Sequence, residues 1–171
     1  YKKMIEPLVP FSIKGVIWYK GESNVGRHRQ YKTLFPQLIN DWRKKWEKEF
    51  PFYFVQISPF KYDENLKDQK SQKLREAQKV GLQVPRTGMV VTLDIGENNN
   101  IHPSNKRAIG ERLSNLALKN DYGVNKSAES PCYKDHKVID DMLIIRFDHA
   151  KLGLVFKNGL KYGFEIAGEN K

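Results

Sequence analysis

Cysteine is almost absent from the sequence, since Cys132 is the only one in 171 residues. A single cysteine excludes a disulfide within the chain and any zinc site built from several thiolates. Long apolar runs are also lacking, and none approaches the ~20 residues that a membrane-spanning helix needs. The sequence contains no EF-hand loop, P-loop or H-E-x-x-H motif, so it gives no signal for a metal or nucleotide cofactor.

Negative charge is in short supply, because 30 lysines and arginines outnumber 20 acids and the formal net charge is +10. Such a balance is compatible with a nucleic acid or another anionic partner. The basic residues are scattered, however, and the densest run, Trp42–Glu49, includes its own acids, as the solvated face of a helix does. Without an RNP, zinc-finger or basic-zipper pattern, we expect no nucleic-acid partner.

What the chain does contain is an alternation of apolar and helical segments. The predicted strands are residues 13–19, 50–57 and 88–95. The predicted helices, with apolar side chains three and four positions apart, are residues 31–46, 71–80 and 104–119. Pro36 predicts a new helix start or a kink within the first of them, whose inner face includes Leu34. This order favours an α/β fold with a parallel sheet and right-handed crossovers, covered on both faces.

The pattern changes in the last third of the chain. Residues 126–136 are polar, and short strands are predicted at 142–147, 154–156 and 162–166 without any helical period. We therefore expect two parts, an α/β part over residues 1–124 and the opening of an all-β module over 125–171. The chain begins at Tyr1 with no charged and apolar leader, so we expect a processed chain or a piece of a longer one.

Two polar clusters, residues 20–24 and 94–102, each follow a predicted strand. In parallel sheets, functional sites gather at the carboxyl ends of the strands. His102 is the leading candidate because a histidine in such a loop can act as a general base. Asp94 and Glu97 precede it, and each either orients the histidine or caps the loop. The other three histidines show no ligand spacing.

The cluster after the first strand leaves several roles open. Ser23 lies in Gly21-Glu22-Ser23-Asn24, and Gly26 follows one position too late for the G-x-S-x-G nucleophile elbow. The order Ser23, Asp94, His102 matches the triad order of α/β-hydrolases, yet Ser23 fits a turn or helix cap equally well. Lys20 is a potential oxyanion donor, and a buried Glu22 would need a donor such as Lys20.

Several of these stretches, taken together, resemble one family. Residues 15–24, GVIWYKGESN, are similar to the G-V-[IL]-W-Y-Q-G-E-S-N block of sialate O-acetylesterases. Other similar stretches, in chain order, are residues 4–8, 74–78, 92–97, 101–106 and 163–169. The resemblance implies a flavodoxin-like SGNH hydrolase domain, three-layered α/β/α, followed by a β module. It also implies an acetylated carbohydrate substrate, no cofactor or metal, and a secreted or periplasmic location.

In that family the nucleophilic serine lies in an upstream block of the same domain. The resemblance therefore implies that this chain supplies His102, oriented by a carboxylate such as Asp94, and part of the oxyanion and substrate pocket. The pocket residues it implies are Lys20, Gly21, Glu22 and Ser23. The expected partner is the upstream part of the same esterase, and this stretch alone is expected to be a poor enzyme.

Two departures from the family pattern keep alternatives open. Lys20 stands where the family has a glutamine whose amide serves the oxyanion hole, and an ammonium differs in charge and reach. Asn99 stands where the family has an aspartate three residues before the histidine, so the carboxylate must be Asp94 or Glu97, or a Ser-His dyad must suffice. The alternatives are a non-catalytic carbohydrate-binding module of the same fold and an esterase that uses Ser23.

Overall fold

The structure, a computed structural model, describes residues 1–62, 70–151 and 153–155. By its internal contacts the chain divides into two units, Tyr1–Glu129 and Ser130–Lys171. The strands of the first unit are β1 (Val16–Trp18), β2 (Phe52–Val55) and β3 (Thr87–Val90). Its α-helices are α1 (His28–Trp46), α2 (Lys70–Lys79) and α3 (Lys106–Asp121). Short 3-10 helices cover Glu6–Leu8, Glu22–Arg27 and Val80–Gln83.

The three strands form one parallel sheet in the order β1-β2-β3. Val16 lies opposite Phe52, and Tyr53 lies opposite Gly88, so the strands start and end at similar heights. The predicted α/β class with a parallel sheet is therefore confirmed. Because all three strands run in the same direction, the segments that follow them all begin on the side of the sheet where the carboxyl ends of the strands lie.

Side chains of β2 alternate between two cores, one on each face of the sheet. Phe52 and Phe54 pack with residues of α1 and α2, whereas Tyr53 and Val55 pack with Ile109 and other residues of α3. A strand whose four residues are all buried must be covered on both faces, which produces the three layers. The first core is rich in aromatic rings: Phe35 meets Phe54 edge-on, with centroids 4.9 Å apart.

Helix α1 differs from the prediction in its start and its continuity. It runs from His28 to Trp46 with Pro36 inside it, so the expectation of a new start near Pro36 was wrong. Proline removes one backbone hydrogen bond, but Phe35 and Ile39 on either side are buried, and this packing offsets the loss. Leu34, predicted on the inner face, is 57% exposed.

Helix α3 is tied to the sheet near its carboxyl end. The Tyr53 hydroxyl donates to Asp121 Oδ2 at 2.5 Å, and Arg86 forms an ion pair with the same carboxylate at 3.1 Å. Burial, followed by the bond to Asp121, raises the pKa of Tyr53 to about 12. The helix that begins just after His102 is thus fixed at its far end.

The second unit contains an antiparallel hairpin of β4 (Cys132–Ile139) and β5 (Met142–Asp148). Strand β5 agrees with the sequence prediction, whereas no strand was predicted for β4, which begins within the polar stretch 126–136. Cross-strand pairing explains the difference, because Arg146 of β5 holds the carboxylate of Asp135 at 2.5 and 2.9 Å. Leu154 and Val155 lie in no strand, and the strand predicted at 162–166 falls outside the described residues.

Strand β1 lies at the edge of the sheet within the described part of the chain. Its only strand partner there is β2, and Ile17 is 71% exposed. No helix in the described ranges has the length and apolar character that a bilayer crossing requires.

Candidate active site

Both predicted polar clusters lie beyond the carboxyl ends of strands in the sheet. The first, here called the Lys20 turn (residues 20–24), follows β1, and the second, the His102 loop (residues 91–105), joins β3 to α3. Residues that flank the two clusters are in contact, since Lys106 Nζ at the start of α3 lies 4.8 Å from the ring centroid of Tyr19. Both clusters follow strands of the same parallel sheet, with β2 between those strands.

Gly21 gives the Lys20 turn its shape. Its φ of +149° is a conformation that residues with a Cβ rarely adopt. A Cβ here would also lie 3.0 Å from Gln78 Nε2 and 3.2 Å from Ile57 Cγ2. Asn24 N donates to Gly21 O at 2.7 Å, which starts the 3-10 helix Glu22–Arg27. Only glycine fits this turn without rearrangement.

The other side chains of the Lys20 turn are more open. Lys20 and Ser23 are exposed, and Glu22 is half-buried. Within the described ranges Lys20 and Glu22 form no ion pair. Glu22 is half-buried, so the condition under which it would need a donor such as Lys20 is not met. Ser23 lies inside the 3-10 helix without a positive φ, and the strained backbone of the turn is at Gly21 instead.

Glu97 organises the His102 loop from within. Its Oε1 accepts from both N and Oγ of Ser104 at 2.7 Å, and its Oε2 accepts from Asn100 Nδ2 at 3.2 Å. Asn100 Oδ1 in turn accepts from His102 N at 3.0 Å. The bonds from Ser104, then that from Asn100, hold the pKa of Glu97 below its usual value. The His102 ring is exposed and makes no hydrogen bond within the described residues.

Asp94 connects the same loop to α3. Its two carboxylate oxygens accept from Arg112 Nη1 and Nη2 at 2.7 and 2.6 Å. Arg112 Nη1 also donates to Val91 O at 2.6 Å, and the bond to Asp94 raises the pKa of Arg112. Asp94 thus fixes the beginning of the loop, and its predicted role as the carboxylate that orients His102 stays a prediction.

Arg75 and Gln78 of α2 bond to backbone groups next to the candidate site. The sequence analysis did not assign either residue to the site. Arg75 donates to Ile57 O at 3.1 Å and to Ser58 O at 3.4 Å, just beyond β2. Gln78, one helical turn later, contacts both Ile57 and Lys20. The signal was present, because polar residues on the inner face of a helix next to Leu74 and Ala77 must find partners.

A solved structure has a similar fold. The chain matches a carbohydrate acetylesterase from Xanthomonas citri with a TM-score of 0.79 and 36% sequence identity, over 85% of this chain and 34% of that one. The fold is that of a carbohydrate acetylesterase domain, which is SGNH-like, and the hairpin follows it.

The family comparison agrees. The model of the family described as carbohydrate esterase, sialic acid-specific acetylesterase, matches residues 1–119, and the chain belongs to this family. The sialate O-acetylesterase of Mus musculus is 33% identical over 132 residues, and that of Rattus norvegicus is 30% identical over 170. These matches cover 66% and 86% of this chain but only 24% and 31% of the relatives' lengths.

Proposed function

We propose that this chain forms the histidine-bearing part of an enzyme that hydrolyses acetyl esters on carbohydrates, with O-acetylated sialic acid as the substrate class. The observation that supports it most directly is that the Lys20 turn and the His102 loop both lie beyond the carboxyl ends of parallel strands, and that the flanking residues Lys106 and Tyr19 are in contact. Family membership supplies the reaction class, since the relatives are named for it.

In the proposed mechanism a serine hydroxyl from an upstream part of the esterase attacks the acetyl carbon. His102 takes the hydroxyl proton and returns it to the sugar oxygen that leaves. Water then attacks the acetyl-serine, again through His102, and acetate is released. The developing oxyanion is stabilised by donors of the Lys20 turn, which are the Lys20 ammonium and backbone N–H groups that include that of Gly21.

The free edge of β1 supports a partner segment from the upstream part of the esterase. Among the described residues β1 pairs only with β2, and an unpaired strand edge presents a row of backbone donors and acceptors. Beside it lies a groove of about 380 Å³ whose lining includes Val16, Ile17, Ala117 and Tyr122. A parallel strand added at this edge would extend the sheet and lie beside this groove, whose lining also includes Arg86 and Asp121.

Asp94 and Glu97 have complementary roles in this proposal. Asp94, bonded to Arg112, fixes the start of the His102 loop, and Glu97, bonded to Ser104, fixes its end. Ser23 and Glu22 form part of the pocket wall. A secreted or periplasmic location, suited to a substrate on exported glycans, belongs to the proposal as well.

The decisive experiment is acetyl release from O-acetylated sialic acid by the full-length protein and its His102→Ala variant. We expect a loss of at least about 1,000-fold in kcat, because the general base is removed. His149→Ala, an exposed histidine of the second unit, is the matched control and should retain full activity. Equal rates for the His102 variant and the wild type would exclude the mechanism.

The role of Ser23 is tested on the 171-residue chain alone with p-nitrophenyl acetate. We expect negligible turnover, because the proposed nucleophile is not in this stretch. Turnover that Ser23→Ala abolishes would favour a nucleophile within the Lys20 turn instead.

A second candidate function is carbohydrate binding without catalysis. It is favoured by Lys20 in place of the family's glutamine and by Asn99 in place of its aspartate. Binding of the full-length protein to acetylated glycans on an array, with no acetate released, would select this candidate.

A further inference from the structure

Gln78 connects the ends of two strands beneath the candidate site. Its side chain is 0% exposed, although it carries a polar amide. Gln78 Oε1 accepts from Ile57 N at 2.9 Å, and Nε2 donates to Lys20 O and to Val55 O, each at 3.4 Å. The partners are one N–H and two carbonyl groups, so the orientation of the amide follows from them. A buried amide with every group satisfied indicates a fixed conformation.

The bond to Lys20 O determines how the next peptide unit is turned. In a trans peptide the carbonyl and the N–H point in opposite directions. Because the Lys20 carbonyl points at Gln78, the N–H of Gly21 points away from Gln78. This N–H has no acceptor among the residues that the structure describes, although Gly21 is buried. A buried N–H without an acceptor is uncommon. The Gly21 N–H is therefore a candidate donor to an oxygen of a bound ligand.

Gly21 is also held from the side by the same residue. Gln78 Nε2 would lie only 3.0 Å from a Cβ at Gly21, so the amide packs directly against the turn. Rotation of the Lys20–Gly21 peptide would break the bond from Gln78 Nε2 to Lys20 O. The turn therefore has one favourable peptide orientation, set by a residue 57 positions later in the chain.

We propose that Gln78 is a positioning residue that aims the Gly21 N–H at the oxyanion of the acetyl-transfer transition state. This inference rests on the proposed esterase function and adds a residue of α2 to its machinery. Gln78 touches neither substrate nor reacting atoms. Its effect should fall on transition-state stabilisation and so on kcat, with KM for the acetyl ester little changed.

The test compares three variants of the full-length protein. Gln78→Glu keeps the size and an acceptor for Ile57 N but replaces the donor with an oxygen that repels Lys20 O. Gln78→Met keeps the volume without either bond, in case the buried carboxylate prevents folding. Leu74→Val is the control, because Leu74 is equally buried in α2 but makes no polar contact with the turn.

We expect kcat to fall about 10- to 100-fold in Gln78→Glu and Gln78→Met with KM within about twofold, a smaller loss than the roughly 100- to 1,000-fold caused by removing an oxyanion donor altogether. A boronate that forms a tetrahedral adduct should lose affinity in parallel, whereas Leu74→Val should change neither. Unchanged kcat in the two folded Gln78 variants, or an equal loss in Leu74→Val, would overturn the proposal.

A second readout does not depend on catalysis. The amide resonance of Gly21 in NMR spectra should shift in both Gln78 variants and stay in place in Leu74→Val. An unmoved Gly21 amide would refute the positioning role even if the wild-type protein releases no acetate. A shifted amide in a protein without esterase activity would instead uphold the contact and refute the proposed function alone.

Discussion

The Lys20 turn and the His102 loop both follow the carboxyl ends of strands, but their conformations are stabilised in different ways. The turn is short, and its backbone is fixed from outside by Gln78, a residue of a distant helix. The loop is longer, and its second half is fixed partly from within, since Glu97 bonds residues three and seven positions later. Its first half has external anchors, because Arg112 bonds Asp94 and Thr92 donates to Gln56 O at 2.8 Å.

Because of this difference, we expect substitutions in the Lys20 turn and in the His102 loop to have different effects. A turn held by tertiary packing depends on the integrity of the core beneath it, so its faults should appear as loss of stability. A loop held by its own exposed side chains can loosen while the domain stays folded. Faults in the loop should therefore appear as loss of activity at nearly constant stability.

The largest effect is expected from Gly21→Ala. The positive φ and the close approach to Gln78 should lower the free energy of unfolding by about 3 kcal/mol, measured by chemical denaturation. Gly26→Ala is the matched control, because a Cβ at Gly26 meets no atom within 4 Å. If Gly21→Ala and Gly26→Ala lower the free energy of unfolding equally, the described packing of the turn against Gln78 is contradicted.

Glu97→Ala should lower activity rather than stability. Without the bonds to Ser104 and Asn100 the His102 loop loses its internal support, and kcat should fall on the order of 10-fold or more. Glu97→Gln, which retains one oxygen for Ser104, should lose less, and Asn98→Ala in the same loop should lose nothing. If Glu97→Ala lowers the denaturation midpoint as much as Gly21→Ala does, the proposed difference between the Lys20 turn and the His102 loop is wrong.

Asp94→Asn should have a smaller effect. The ion pair with Arg112 is partly exposed, so its loss should lower the free energy of unfolding by about 1 kcal/mol at most. Loss of an anchor for the loop should reduce kcat by less than about 10-fold, whereas loss of a carboxylate that directly orients the histidine costs about 10⁴-fold. The measured kcat therefore decides which role Asp94 has.

The smallest effect is a pH dependence within the loop. The folded pKa of Glu97 lies below the ordinary value of 4.5, so its contribution to stability is present above pH 4.5 and is lost as the pH falls through the folded pKa. The Ser104 amide resonance should follow this titration with a midpoint below 4.5. In Glu97→Gln the titration should be absent, and a midpoint above 4.5 would contradict the described bonds.

Much of the fold follows from local pattern, whereas the supports of the site follow from it only in part. The strand β2 and the helices α2 and α3 are marked by the spacing of Phe52, Leu74, Ile109 and similar residues. The continuity of α1 through Pro36 was missed, because tertiary packing outweighs the local preference of proline. Strand β4 was missed since its stability comes from pairing with β5, as Asp135 and Arg146 show.

For the candidate site, sequence reasoning proposed residues on the loops but not those beneath them. His102, Asp94 and the Lys20 turn stand out because polar residues follow apolar strands. The partners of Asp94 and Lys20 O are Arg112 and Gln78, which lie 18 and 58 positions away. No local pattern specifies such pairs, since they exist only after the helices have packed against the sheet.

The open side of β1 has a practical consequence for anyone who handles this stretch of chain by itself. An edge strand that pairs on one side only, as β1 does among the described residues, can pair with a second molecule, and the exposed side chain of Ile17 adds apolar contact area. Light scattering at rising concentration should reveal self-association, and a charged residue in place of Ile17 should suppress it while the buried layers stay intact.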